Sequence, residues 1–257
     1  MINHYVPCVY LKGFSDSPAK NRKAPIFVID KETKNSYTCS VEYTAKDKNY
    51  YPDSVESNLR VIESHSDPIL IKLRNCNLPD SVDKLIFSIF INLMITRVPH
   101  LRKILKGKIP ANISKAIEEN LEKVPDLKNR IEFSNRIEGM RMEIENDFYK
   151  KYRNPSIDMN LVSHLFNMKW IFYYVKSESK FITSDNPVSI TNEGELFFPI
   201  SSNICLVISI GNDREDFILV PEEHYEAINN RTASKATRFI YYHEEKDWVK
   251  KIAFNTR

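Results

Sequence analysis

Glycine is scarce in this sequence, and the phosphate-binding loops that depend on it are absent. Only 5 of the 257 residues are glycine, and neither GxGxxG nor GxxxxGK[ST] occurs. The GxSxG turn that carries the nucleophile of α/β hydrolases is absent as well. A Rossmann-type or P-loop nucleotide cradle is therefore excluded, because both need glycine where phosphate approaches the backbone.

Cysteine is also sparse, and its spacing does not fit a zinc site. The chain contains four, Cys8, Cys39, Cys76 and Cys205, with no CxxC pair among them. None has the histidine spacing of a zinc finger, so a cysteine-type zinc site is not expected. Scattered thiols are typical of a reduced cytoplasmic protein, and we expect that location.

The sequence also lacks a large excess of charge of one sign, and it lacks long apolar runs. Lys plus Arg number 37 and Asp plus Glu 34, so the net charge is +3, and the basic run "RKILKGK" at 102–108 is interpreted as a solvated face. This balance alone does not imply nucleic-acid binding. The start "MINHYVPCVY" lacks the pattern of a signal peptide. The most apolar run, "LIFSIFINLMIT" at 85–96, is shorter than the roughly 20 residues that cross a bilayer, so it predicts a buried helix and no membrane association.

The rest of the sequence has the composition of a folded protein. Its two ends predict β structure. "CVYLKGF" predicts a strand, and "PIFVID" with "SYTCSV" predicts a hairpin. Short strands return in the last third, including "RFIYYHE" and "WVKKIAF", and "PEEHYEAINNRTASKA" precedes these two as a helix.

The middle of the chain predicts helices. Apolar residues recur at spacings of three and four from Val55 to Leu73, where Pro68 predicts a kink or a break. Further helices are expected over residues 110–155 and in "DMNLVSHLFNMKWIFYYVKS", where the helix ends in the aromatic cluster that starts at Trp170. We therefore predict an α+β fold in one domain, 1–257. Its N- and C-terminal β segments join in one sheet, and a helical region over about 54–176 packs on that sheet.

Two sets of polar residues in the first third have functional chemistry. His4, in "NHYVP", is either a general base or metal ligand, or a histidine that makes one hydrogen bond at a sheet edge. Glu56 and Glu63 lie seven apart, so a helix places both on nearly the same face. With Asp47 they could hold a divalent cation, or they could be exposed helix charges.

Two further candidates lie at the ends of predicted elements. Arg97 ends the buried helix in "MITRVP", where it either complements the helix terminus or binds a carboxylate or phosphate. Asp185 lies in "TSDNPV" at a strand end, where it is either a turn former or a catalytic or metal-binding carboxylate.

These segments, in this order, resemble the bacterial family called domain of unknown function 4238. Its opening signature is like "NHYVPxxYLxxF", which matches residues 3–14, and "DKNYY", "TSDNPV" and "FPI" match later segments. The family often has Glu at the position of Asp47 and Gln near that of Cys8. The resemblance covers most of the chain and implies one domain, but it implies no reaction. Such proteins often occur in mobile or phage-related gene neighbourhoods, which implies a role in host–phage conflict.

From the residue types, the leading hypothesis is a metal-dependent phosphodiesterase or nuclease. Its predicted catalytic residues are His4, Glu63, Arg97 and Asp185. Mg²⁺ or Mn²⁺ would be bound by His4, Asp47, Glu56, Glu63 and Asp185 and would activate water, while Arg97 stabilises charge on phosphate oxygens. The expected partner is a nucleic acid or nucleotide. The alternatives are a metal-free nucleotide-modifying transferase and a non-enzymatic protein whose polar network fixes the fold while another surface binds a partner.

Overall fold

The computed structural model describes residues 2–48, 50, 53–98, 157–176, 180–211 and 213–255. Helices and strands both occur there, so the predicted α+β class is confirmed. The described strands are β1 Ile2–His4, β2 Pro25–Asp30, β3 Asn35–Ser40, β4 Lys46–Lys48, β5 Trp170–Tyr174, β6 Thr183–Ser184, β7 Ser189–Ile190, β8 Leu196–Pro199, β9 Ile204–Ile208, β10 Asp216–Leu219 and β11 Phe239–Tyr242. The basic run at 102–108 and the helices predicted over 110–155 lie outside the described residues.

Helices connect and cover these strands. The α-helices in the described ranges are α1 Cys8–Leu11, α2 Asp53–Arg74, α3 Ser81–Thr96, α4 Met159–Asn167, α5 Glu222–Lys235 and α6 Asp247–Asn255. Three short 3-10 helices are Lys12–Phe14, Pro18–Lys23 and Val41–Tyr43. All four cysteines are free thiols.

The two ends of the chain meet in a four-stranded sheet. Its strand order is β3-β2-β11-β6, and every neighbouring pair is antiparallel. The predicted hairpin is β2 and β3, and the C-terminal strand β11 lies against β2. The expected pairing of N- and C-terminal segments is therefore confirmed for this sheet.

The remaining strands do not join it, and here the one-sheet prediction is wrong. A five-stranded sheet, in the order β10-β5-β9-β8-β7, is built wholly from the C-terminal half. Only its β10–β5 pair is parallel. At the other end of the chain, β1 pairs with β4 in a separate two-stranded ladder.

The buried helix α3 forms as its sequence predicts. Asp80 caps its start by accepting a hydrogen bond from the Asp83 backbone amide at 2.8 Å, and every residue from Val82 to Thr96 is buried. The apolar run packs on all sides, which is why its sequence shows so little amphipathic pattern. Within the described ranges no helix has the length and apolar character needed to cross a membrane.

Three local predictions are wrong. "CVYLKGF" forms α1 and the following 3-10 helix, with the amides of Tyr10 and Leu11 bonded to the Pro7 carbonyl. "WVKKIAF" forms α6, because Val249 and Ala253, four apart, pack into one buried cluster. The helical region also ends before residue 176, since β5 occupies Trp170–Tyr174.

Pro68 does not break α2. The helix runs without interruption from Asp53 to Arg74. Leu59, Ile62 and Ile69 on one face are all at most 1% exposed, and this packing outweighs the one hydrogen bond that proline cannot donate.

Candidate functional site

The short β1–β4 ladder separates the residues of the opening signature onto two faces. In its register His4 lies opposite Lys46, and Asn3 lies opposite Asp47. Directly opposed residues share a face, and successive residues alternate between faces. The His4 ring and Lys46 therefore lie on one side of the ladder, and Asn3 and Asp47 lie on the other.

The Asn3 side faces helix α2 and Glu56. Asn3 is fully buried, and its Nδ2 donates a hydrogen bond to Glu56 Oε2 at 3.3 Å. The other Glu56 oxygen, Oε1, lies 3.5 Å from Arg60 Nε one turn along the helix. Glu56 is thus a mostly buried carboxylate with a neutral donor on one oxygen and a cation near the other.

Arg97 joins three segments that are distant in sequence. It directly follows α3 and is 1% exposed. Nη1 donates to Glu63 Oε1 at 2.7 Å, and Nη2 donates to the His4 backbone carbonyl at 2.6 Å. The Tyr50 hydroxyl donates to the Arg97 carbonyl at 3.2 Å. Because both terminal nitrogens bind the protein itself, Arg97 fixes the positions of β1 and α2 at this site.

Glu63 combines a rigid attachment with access to solvent. Its side chain is 20% exposed, while its partner Arg97 is almost wholly buried. Burial raises the pKa of the Glu63 carboxyl; the Arg97 charge and hydrogen bond oppose this, and the nearby Glu56 adds to it. A carboxyl that is held in place, partly exposed and raised in pKa is typical of proton-transfer groups. The seven-residue spacing of Glu56 and Glu63 does bring the two carboxyls close enough to interact.

The His4 ring contacts the Glu42 backbone, whereas the His4 backbone carbonyl binds Arg97. Nε2 lies 3.2 Å from the Glu42 carbonyl oxygen. A carbonyl only accepts, so Nε2 carries the proton and Nδ1 is left as an acceptor. Burial, together with the charges of Arg22, Lys46 and Arg97, lowers the pKa of His4 to about 4, against the opposing Glu42 hydrogen bond. The imidazole is therefore neutral at pH 7.

Asp185 has a separate set of partners in the turn before β11. It is 3% exposed, and Oδ1 accepts the Thr237 amide at 2.8 Å. Oδ2 accepts the amides of Arg238 and Phe239 at 2.8 and 3.1 Å. Burial raises the pKa of this carboxyl, and the three hydrogen bonds oppose that rise. These contacts fix the connection from α5 to β11, and they account for Asp185 without a ligand.

The five predicted metal ligands are not gathered around one point. Across the described residues, no group of three or more His, Cys, Asp or Glu is arranged to hold a metal ion. Asp47 is exposed, and its Oδ1 accepts the amide of the next residue, Lys48, at 2.7 Å. The His4 ring lies on the opposite face of the ladder from Asp47. The five-residue set therefore does not fit one cation in this arrangement.

Sequence reasoning missed several residues that shape this site. Asn3 lies beside His4 in the opening signature, and period-two alternation in a strand would have separated the two side chains. Glu42 contributes through its backbone carbonyl, and no sequence pattern reports that contact. Tyr50 follows the residues of the ladder and binds the Arg97 carbonyl.

A model of the family described as "Protein of unknown function (DUF4238)" matches residues 3–246. The chain belongs to the DUF4238 family. That match includes every residue of the candidate site, from Asn3 to Asp185. No curated protein and no solved structure matches this DUF4238 chain significantly. The family gives no reaction, so the function of this member must be argued from its own residues.

Proposed function

We propose that this DUF4238 protein hydrolyses phosphodiesters of a nucleic acid or nucleotide, with the Glu63 carboxyl as its proton-transfer group. The observation that carries the proposal is the state of Glu63. Its pKa is raised by burial, it is held at 2.7 Å by the Arg97 guanidinium, and one-fifth of its side chain is open to solvent. Carboxyls with such perturbed pKa values concentrate at functional sites.

The chemistry that follows is general base catalysis. The Glu63 carboxylate takes a proton from water as the water oxygen bonds to phosphorus and the bond to the leaving ester oxygen breaks. The leaving oxygen then takes a proton from solvent, and Glu63 returns its proton to solvent, so the cycle balances and the carboxylate is restored. Arg97 acts as a positioning residue that holds the carboxyl in one orientation. This replaces the predicted contact of Arg97 with phosphate, because its two terminal nitrogens already donate to Glu63 and to the His4 carbonyl.

The steps proposed for Glu63 do not pass through a divalent cation. Among the described residues no three of the predicted ligands are arranged to hold a metal ion, and both oxygens of Asp185 accept backbone amides. Whether Mg²⁺ or Mn²⁺ supports turnover is part of the test below. The proposed location is the cytoplasm, which four free cysteines favour. A role in host–phage conflict rests on the family resemblance alone.

The test is an assay of the purified protein against labelled single- and double-stranded oligonucleotides and a nucleotide panel, with Mg²⁺, with Mn²⁺ and with a chelator. Glu63→Gln keeps a hydrogen-bond acceptor for Arg97 but removes the base. We expect it to lower turnover by about 100-fold or more, the usual contribution of a general base. Glu223→Gln, at an exposed carboxyl in the first turn of α5, is the matched control and should keep wild-type turnover.

Two results would contradict the proposal: no hydrolysis of any phosphodiester under the three metal conditions, or equal turnover by wild type and a folded Glu63→Gln variant. Group transfer between nucleotides without hydrolysis would instead indicate the transferase alternative, with the same carboxyl as base. Thermal unfolding of each variant shows whether a loss of turnover reflects a loss of fold.

A second candidate is the non-enzymatic alternative, in which the polar network only fixes the fold. The observation that favours it is the internal satisfaction of Arg97 and Asp185, whose charged groups bind backbone or side-chain atoms of the protein itself. Under this alternative Glu63→Gln lowers the melting temperature and no phosphodiester is cleaved. The turnover assay therefore separates the two.

A further inference from the structure

We infer that the face beside His4 binds single-stranded nucleic acid, with Tyr43 as the side chain on which a base stacks. This surface is formed by residues 20–23 and 42–48, and we call it the basic surface. The inference names the substrate class of the proposed hydrolase and to that extent rests on the proposed function. Binding itself is measured separately from cleavage.

Two segments of the chain are held together to form the basic surface. The Val41 amide donates to the Ala24 carbonyl at 3.0 Å, which joins the end of one 3-10 helix to the start of the next. Arg22 Nε lies 3.9 Å from Glu42 Oε2 across the same junction. The surface is thus a fixed part of the fold.

Positive charge is concentrated on this surface. It carries five cationic side chains, Lys20, Arg22, Lys23, Lys46 and Lys48. The same two segments contain two carboxylates, Glu42 and Asp47, and Asp47 lies on the opposite face of the ladder from His4 and Lys46. Even with both counted, the net charge is +3, as large as the net charge of the whole chain. A concentrated basic face is the electrostatic feature that binding to a phosphate backbone requires, and the balanced total composition concealed it.

An exposed aromatic ring lies among these charges. Tyr43 is 67% exposed, the most exposed of the aromatic side chains in the described ranges. Lys46 Nζ lies 4.6 Å from the centre of its ring. An aromatic ring beside cations is the arrangement with which proteins bind single strands, because unpaired bases stack on the ring while the cations bind phosphates. A duplex keeps its bases stacked internally and cannot use the ring in this way.

The basic surface also lies next to the candidate site. Lys46 is paired with His4 in the β1–β4 ladder, and the His4 ring bonds the Glu42 carbonyl. The His4 carbonyl in turn binds Arg97, which holds Glu63. The basic surface is therefore connected to the proposed base through the β1–β4 ladder and the Arg97–Glu63 ion pair.

The test is fluorescence anisotropy with labelled 20-nucleotide oligo-dT and oligo-U and a 20-base-pair duplex. Binding is measured in wild type and in the Glu63→Gln background, where cleavage does not interfere. Tyr43→Ser, at an exposed position, should weaken binding of both single strands about tenfold, the order expected for one base–aromatic stack. Tyr37→Ser, at another exposed tyrosine on β3, is the matched control and should bind as wild type does.

Salt dependence tests the cations independently. Lys46→Gln with Lys48→Gln should reduce the slope of log K against log salt by about 1.4, since each single-strand phosphate contact contributes about 0.7. Lys235→Gln, at an exposed lysine on α5, should leave the slope unchanged. Single-strand binding that depends on Tyr43, together with full turnover by Glu63→Gln, would support this inference and refute the proposed function.

Three outcomes would overturn the inference: no binding of either single strand, binding that Tyr43→Ser does not weaken, or tighter binding of the duplex than of the single strands. Association of the protein with vesicles of anionic lipid through Tyr43, without single-strand binding, would overturn it as well.

Discussion

The unusual environment of the His4 ring makes the stability of this protein depend on pH in a predictable way. The ordinary histidine pKa is 6.5, and in the folded chain that of His4 is lowered to about 4. Below pH 6.5 the unfolded chain takes up a proton at His4 that the folded protein does not bind until about pH 4. Protons therefore favour unfolding in this window, and stability falls as the pH falls from about 6.5 to about 4.

The magnitude follows from these two values. At about 1.4 kcal/mol for each pH unit between them, the full effect is about 3 kcal/mol, of which about 2.5 kcal/mol is lost by pH 4.5. A lowered pKa at His243 acts in the same direction, and the raised pKa of Glu63 acts in the opposite one. A comparison between wild type and a His4 variant cancels both contributions.

The assay is urea unfolding of wild type and His4→Gln at pH 7.0, 5.5 and 4.5. Glutamine keeps an Nε2–H donor for the Glu42 carbonyl but does not titrate. We expect wild type to lose about 2.5 kcal/mol relative to the variant between pH 7.0 and 4.5. His4→Ala, which also lacks the hydrogen bond, should be less stable than His4→Gln at pH 7.0 and show the same relative pH dependence. A constant difference between wild type and His4→Gln across the three pH values would refute the reasoning.

Three further predictions concern contacts that fix the fold around the site. Arg97→Met should lower the free energy of unfolding by about 3 kcal/mol, because it leaves a mostly buried carboxylate without its cation; an unchanged urea midpoint would contradict this. Asp185→Asn should cost about 3 kcal/mol, because one amide oxygen replaces two carboxylate oxygens that accept three backbone amides; a cost below about 1 kcal/mol would mean that those bonds matter little. Gly13→Ala should lower the free energy of unfolding by about 2 kcal/mol, because the new Cβ would lie 2.5 Å from Arg74 Nη2. Gly211→Ala should be tolerated, because the nearest atom to its new Cβ, Ser209 Oγ, lies at 3.8 Å. Equal melting temperatures for the two alanine variants would contradict this difference.

The sequence predicts best those parts of the fold whose cause is local. Helix α3 follows from an apolar run between prolines, and the β2–β3 hairpin follows from two β-rich runs around a polar turn. The terminal helix α6 is harder to predict, because "WVKKIAF" is rich in aromatic and β-branched residues, which are enriched in strands. Its burial at four-residue spacing becomes apparent only when the partner cluster around Ile240 is known.

The candidate site likewise contains some contacts that follow from local sequence and others that depend on tertiary structure. The proximity of Glu56 and Glu63 follows from helical spacing, which is local. The pairing of Arg97 with Glu63, 34 residues apart, and the binding of Asp185 to amides 52 to 54 residues away depend on tertiary structure. The second of these contacts uses backbone donors, which every residue except proline provides, so no residue type in the sequence indicates it.

The central claim is that Glu63 is a proton-transfer group rather than one half of a structural ion pair, and its own pKa tests this most directly. Glutamate side-chain carboxyl carbons can be followed by NMR as the pH is changed, with the Glu63 signal assigned by its absence from Glu63→Gln. Because burial outweighs the opposing charge of Arg97 at this carboxyl, its pKa should lie above the ordinary 4.5. A pKa below 4.5 would mean that Arg97 dominates, and it would contradict the raised pKa on which the proposed role of Glu63 rests.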